Sequence, residues 1–156
     1  MKKIALYLLT ITAVFAIDIQ PKIDICNDEQ DYHACNFVGD YYLFKDKDDL
    51  SDSYYMKAKT IMESSCLEND LVACSLLGNS YELGSLVYPK SFKKAMIYYN
   101  IVIDNNKVSC NNGSDSACFK LGLDYSEKGL LNNPDKAKKY FKKACKLGRK
   151  NACGRK

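Results

Sequence analysis

The chain has 156 residues, 47% of them hydrophobic and 27% charged, with eight cysteines, one histidine and a formal net charge of +4. Lys2 and Lys3 account for half of that charge, and the remaining excess of about +2 is too weak to point to nucleic acid or an anionic membrane as partner. A lone histidine, His33, excludes a multi-histidine zinc centre, and neither a metal nor another cofactor is expected.

The N-terminus reads as a secretory leader. Met1, Lys2 and Lys3 precede an apolar run from Ile4 to Ala16, with small residues Val14 and Ala16 before a cleavage point. A membrane anchor needs about 20 apolar residues, and this run of thirteen is stopped by Asp18 and Asp24. Cys26 follows Ile23-Asp24-Ile25 rather than a small-residue lipobox. Residues 1–16 are therefore expected to be a signal peptide and 17–156 the mature domain. The protein is then exported, to periplasm or extracellular medium, with no membrane span in the mature chain.

All eight cysteines lie after the leader, at regular intervals. Cys66 and Cys74, Cys110 and Cys118, and Cys145 and Cys153 are eight residues apart, and Cys26 and Cys35 nine. An even count in an exported chain is a disulfide framework, and the neighbour spacing suggests four local pairs. A continuous helix would separate such residues by about 12 Å, whereas a disulfide needs Cα atoms within about 7 Å. The chain must turn inside each pair, so each bridge staples the end of one helix to the start of the next. In the last pair Gly148 suits the end of a helix and Asn151 the cap of the following one. No Cys-x-x-Cys redox motif occurs, and the spacing does not fit a structural zinc site.

Aligned on Ala-Cys, the chain shows three helix pairs and a stub, at intervals of 39, 44 and 35 residues, the range of helix-pair solenoids. Ala34-Cys35 is followed by Val38-Gly39 and Tyr42, Ala73-Cys74 by Leu77-Gly78 and Tyr81, and Ala117-Cys118 by Leu121-Gly122 and Tyr125. These share one helical face, and the glycine permits close approach of a neighbour. The second helices carry Lys57-Ala58, Lys94-Ala95 with Tyr98-Tyr99, and Lys136-Ala137 with Tyr140-Phe141. On this alignment the first repeat gains residues in a solvated polar loop, Lys45 to Asp52. The second gains seven before Cys110, either as two extra helical turns or as a loop around Asp104. The repeats span roughly 33–66, 72–110 and 116–148, with a stub at 149–156.

The pattern Ala-Cys-x-x-Leu-Gly-x-x-Tyr, then Lys-Ala-x-x-Tyr-(Tyr/Phe)-x-x-Ala-Cys, resembles the Sel-1-like repeat, a relative of the tetratricopeptide repeat. The seven-residue spacer between cysteines is similar to that of its exported branch, the Helicobacter cysteine-rich protein family. The resemblance implies an all-α right-handed superhelix of stapled helix pairs that binds proteins or peptides, in bacteria often at the host interface. Some members have been named as β-lactamases or penicillin-binding proteins.

In such a stack the first helices line the concave side. Residues offset from the packed face are then the groove candidates: His33, Asn36 and Asp40; Val72, Ser75 and Asn79; Ser116, Phe119 and Leu123. Phe119 and Leu123 are expected to be exposed there. Tyr41, Tyr54 and Tyr88 stand outside the repeat positions and are available to an interface. For a serine β-lactamase, Ser91-Phe-Lys-Lys94 has the Ser-x-x-Lys spacing, but the Ser-Asp-Asn and Lys-Thr-Gly motifs are absent, and Ser91 falls where a helix cap is wanted. No catalytic residue is assigned. The expected function is partner binding, with β-lactam binding or weak hydrolysis as the alternative.

Overall fold

A computed structural model describes residues 18–85 and 87–155; the expected leader, residues 1–16, lies outside them. Among the described residues there are seven α-helices and no strand: α1 Gln20–Asp28, α2 Tyr32–Phe44, α3 Asp48–Leu67, α4 Leu71–Leu83, α5 Phe92–Asn111, α6 Asp115–Tyr125 and α7 Pro134–Lys146, then a 3-10 turn Lys150–Ala152. No helix among the described residues is long and apolar enough to cross a membrane. The described residues divide into two compact units, one ending at Ser64 and the other beginning at Ser65.

Each helix start has a local cause. Asp31 accepts hydrogen bonds from the amides of His33 and Ala34 at 2.7 and 3.0 Å, and Asp70 from Val72 and Ala73 at 2.8 and 3.1 Å. Ser114 caps α6 through Ala117, and Asn133 caps α7 through Lys136, with Pro134 opening that helix. The residue before each of these caps turns the chain with positive φ: Gln30 at 53°, Asn69 at 70°, Gly113 at 92° and Asn132 at 37°. Gly148, at 106°, makes the same turn before the 3-10 segment. A left-handed residue followed by a cap folds the chain back inside a loop too short for anything longer.

These turns bring the cysteines together. Four disulfides join Cys26 to Cys35, Cys66 to Cys74, Cys110 to Cys118 and Cys145 to Cys153, with Cα atoms 4.7–5.0 Å apart. Asn151 does not cap a helix as expected. It lies within the terminal 3-10 turn, whose cap position, Arg149, makes no side-chain cap bond.

The second helices correct the alignment of the repeats. Asp48 to Asp52 are the first turn of α3 rather than a loop, and Asp48 and Asp49 place negative charge at its positive end. The α2–α3 connection is three residues, 45–47, and the α4–α5 connection eight, 84–91. That difference alone separates the first two repeats in length, because α3 and α5 are both 20 residues long. The counterpart of Ala95 is thus Ser51, not Ala58. Asp104 to Cys110 continue α5 as helix and not as a loop, and the two extra turns, measured against the 13-residue α7, are shared with α3.

In the second unit, α4 packs on α5, α5 on α6, α6 on α7, and α7 on the terminal turn. This consecutive packing is that of a helical-repeat solenoid. One core cluster runs from Ile103 and Cys110 through Ala117, Cys118, Leu121 and Tyr125 to Phe141, Ala144 and Ala152. In the first unit α1 packs on α2, and Ser51 of α3, buried, donates its hydroxyl to the Gly39 carbonyl at 3.0 Å.

Candidate functional site

The face that each first helix offers to solvent is set by what lies beneath its glycine. A Cβ on Gly39 would stand 2.7 Å from the ring of Tyr55, one on Gly78 2.4 Å from Tyr99, and one on Gly122 2.4 Å from Phe141. The close neighbour is therefore an aromatic ring of the second helix, inserted under the first. The preceding aromatic stacks on the first helix's tyrosine: Tyr54 on Tyr42, Tyr98 on Tyr81 and Tyr140 on Tyr125, with centroids 5.5–5.8 Å apart. A lysine ammonium covers that tyrosine from outside: Lys47 over Tyr42, Lys94 over Tyr81 and Lys136 over Tyr125, at 5.9, 5.1 and 5.2 Å.

The inserted ring and the residue after the glycine change together. Tyr55 donates its hydroxyl to Asp40 Oδ1 at 2.5 Å. Tyr99 donates at 2.7 Å to Asn79 Oδ1 and at 2.6 Å to Glu82 Oε2, alternative acceptors for one proton. In the third pair the ring is Phe141, which has no hydroxyl, and the residue after Gly122 is Leu123. Burial, then the Asp40 hydrogen bond, pushes the Tyr55 phenol up to about 12. Tyr99 is raised by burial and then by Glu82. Both rings stay protonated donors throughout the physiological range. Burial also raises the Asp124 carboxyl, with Lys120 opposing.

The nine candidate groove residues occupy differing environments. His33, Asp40, Val72, Asn79 and Leu123 are exposed, and Asn36, Ser75 and Ser116 are half-buried. The Ser75 hydroxyl is turned back to the Leu71 carbonyl at 2.8 Å. Phe119 differs from expectation. It is half-buried, its ring 5.6 Å from that of Phe141, with the guanidinium groups of Arg149 and Arg155 at 5.3 and 5.0 Å over it. Arg149 is itself held by Asp115 at 2.9 Å. The C-terminal stub thus covers the aromatic that the sequence suggested was open.

The three supplementary tyrosines likewise make ring contacts, Tyr41 edge-on to Tyr42 at 5.5 Å. Tyr88 is buried edge-on against Tyr81 at 5.4 Å, and Tyr54 belongs to a ring stack. Ser91, the serine of the Ser-x-x-Lys match, caps α5: its Oγ accepts from the Lys94 amide at 3.3 Å, while the Lys94 ammonium lies over Tyr81. The pair is a cap and a cation on a ring, not a serine with its lysine base.

The geometry defines a class of protein, an array of disulfide-stapled helix hairpins whose paired aromatics lock each hairpin. Residues 71–105 and 115–148 match the Sel1 repeat, so the chain carries two Sel1 repeats in tandem. Sel1 repeats are in general protein-interaction scaffolds. No curated protein matches the chain. The first helix pair lies outside the matched segments yet makes the same contacts: glycine over a ring, a tyrosine stack and a stapled entry.

Proposed function

We propose that the protein is an exported scaffold of the cysteine-rich Sel1 type that holds a peptide or protein partner on the outward side of its first helices, with a host-facing partner among those it would meet. The observation that carries this reading is the exposure of apolar Val72 and Leu123 beside polar Asn79. Asn79 and Leu123 are matched positions of α4 and α6, Val72 is matched by Ser116, and the buried face of each helix is already satisfied by its own hairpin. Val72 is 58% exposed and Leu123, whose apolar character follows that of Phe141 beneath Gly122, 40%, so both leave apolar surface open to a partner. Four disulfides support an oxidising destination, since such bridges are rarely kept in a reducing cytosol.

A peptide displayed in a random library and selected on the oxidised protein tests the surface directly. Val72→Asp with Leu123→Asp should weaken selected peptides at least tenfold, roughly the 1.4 kcal/mol of one good apolar contact, with helicity unchanged. Undiminished binding in that variant would remove the first-helix side from consideration.

A further inference from the structure

The small net charge conceals a steep gradient. Residues 115–156 hold twelve Lys and Arg against four Asp and Glu, a net of +8, whereas residues 18–70 hold five against thirteen, a net of −8. The positive end is concentrated on α7, where Lys136, Lys138, Lys139, Lys142, Lys143 and Lys146 are accompanied by a single acid, Asp135, in the first turn.

Within that helix the lysines divide by face. Lys136, Lys139 and Lys143, three and four apart, share one side with Tyr140. With Lys107 of α5 and Tyr125 of α6 they line an open cleft of about 450 Å³. Their positions are constrained by the surroundings. Lys107 pairs with Asp104 at 2.8 Å, Lys143 donates to Asn111 Oδ1 at 3.1 Å, and Lys136 lies over Tyr125. Three ammonium groups in excess of one carboxylate thus surround a floor made of two tyrosines.

We propose that this lysine cleft, distinct from the first-helix side, docks an acidic segment of a partner polypeptide. Glutamate and aspartate carboxylates meet the ammonium groups, and their methylene stems lie along Tyr125 and Tyr140. Three features favour carboxylates over a nucleic acid. The cleft holds no arginine, the side chain whose planar fork grips phosphate bidentately. Arg149 and Arg155 lie outside it, over Phe119. Tyr125 and Tyr140 are stacked on each other at 5.5 Å, so they offer no open platform for bases. A second copy of the chain is a poorer fit: its acidic run, Asp46, Asp48, Asp49 and Asp52, is interleaved with Lys45 and Lys47 and sits at the positive end of α3.

Fluorescence anisotropy of a labelled oligoglutamate peptide, titrated with the oxidised mature protein, tests the proposal. Binding is expected, and it should weaken with added salt as screening shortens the reach of exposed charges. Lys136→Gln with Lys139→Gln and Lys143→Gln should weaken it at least about tenfold, whereas the same charge loss on the other side of the helix, Lys138→Gln with Lys142→Gln and Lys146→Gln, should weaken it less than about threefold. The single Lys139→Gln leaves the hydrogen bond of Lys143 in place and should still weaken binding measurably. Equal losses from the two triple variants, or no binding at low salt, would overturn the proposal. So would a preference for a labelled oligonucleotide over oligoglutamate, or a Lys139-dependent self-association of the protein alone in sedimentation. None of these results bears on the Val72 and Leu123 surface, whose test uses different residues and a different ligand.

Discussion

Reduction of the four disulfides should remove most of the stability of the protein while leaving its local helix propensities untouched. Each bridge closes a loop of about nine residues, which in the chain-entropy account stabilises by about 2 to 3 kcal/mol. Four together are comparable with the whole stability of an ordinary domain, about 5 to 15 kcal/mol. The bridges act where helices meet, so the loss should be local to each junction. Paired Cys→Ala variants measured one at a time should each lower the melting temperature by about 5 to 10 °C, taking 2 to 4 °C per kcal/mol. The effect should be graded. Cys66, Cys74, Cys110 and Cys118 are buried, so their replacement also removes core contacts, whereas Cys153 is exposed and its partner half-buried. The Cys145–Cys153 pair should therefore cost least. Equal losses at all four junctions would contradict the grading by burial, and a reduced protein that melts with the oxidised one would show that the helix contacts suffice without the staples.

Gly122→Ala should be a strongly damaging small substitution in the second unit. In an exposed helix the change would stabilise by about 1 kcal/mol. Here the new methyl would stand 2.4 Å from the Phe141 ring. Phe141 is 2% exposed and backed by Phe119, so the ring has nowhere to go. Overpacking of a closed core costs about 1 to 3 kcal/mol, and a clash this deep belongs at the upper end. After the helix gain is subtracted, denaturant titration should show a net loss of about 2 kcal/mol. Phe141→Leu in the same chain should relieve part of it, so that the double variant is more stable than the sum of the two single losses. A neutral or stabilising Gly122→Ala would mean that the ring does not occupy the space under α6.

The staples and the first helices were legible because their signals are short and chemically unambiguous. A cysteine interval too long for one turn and too short for a second helix leaves little choice but a stapled corner. The Leu-Gly-x-x-Tyr face follows directly from helical period. The second helices were harder to place, for a physical reason. Seven residues make nearly two whole turns, so Lys57-Ala58 presents the same face as the true counterpart one heptad earlier, Leu50-Ser51, and the repeat can be aligned either way. The serine that replaces alanine there is recognisable only once its hydroxyl is seen bonded to the Gly39 carbonyl.

The pairing of Tyr55 with Asp40, Tyr99 with Asn79 and Phe141 with Leu123 was present in the sequence as a matched change across three repeats. Without the correct register the three pairs do not line up. Phe119 was misjudged because its cover comes from Arg149 and Arg155, in a stub that carries no helical pattern. The lysine cleft went unnoticed because a total charge of only +4 averages an acidic beginning with a basic end.

The central claim is that each helix junction is closed by its own neighbouring cysteines in a protein that reaches an oxidising compartment. Proteolysis of the protein taken from its native compartment, without reduction and with free thiols blocked at lysis, followed by mass spectrometry of the linked peptides, tests it most directly. The account predicts four linked pairs, Cys26 with Cys35, Cys66 with Cys74, Cys110 with Cys118 and Cys145 with Cys153, and no blocked thiol. Bridges between distant cysteines would contradict the stapled hairpins, and eight blocked thiols would contradict both the staples and the export.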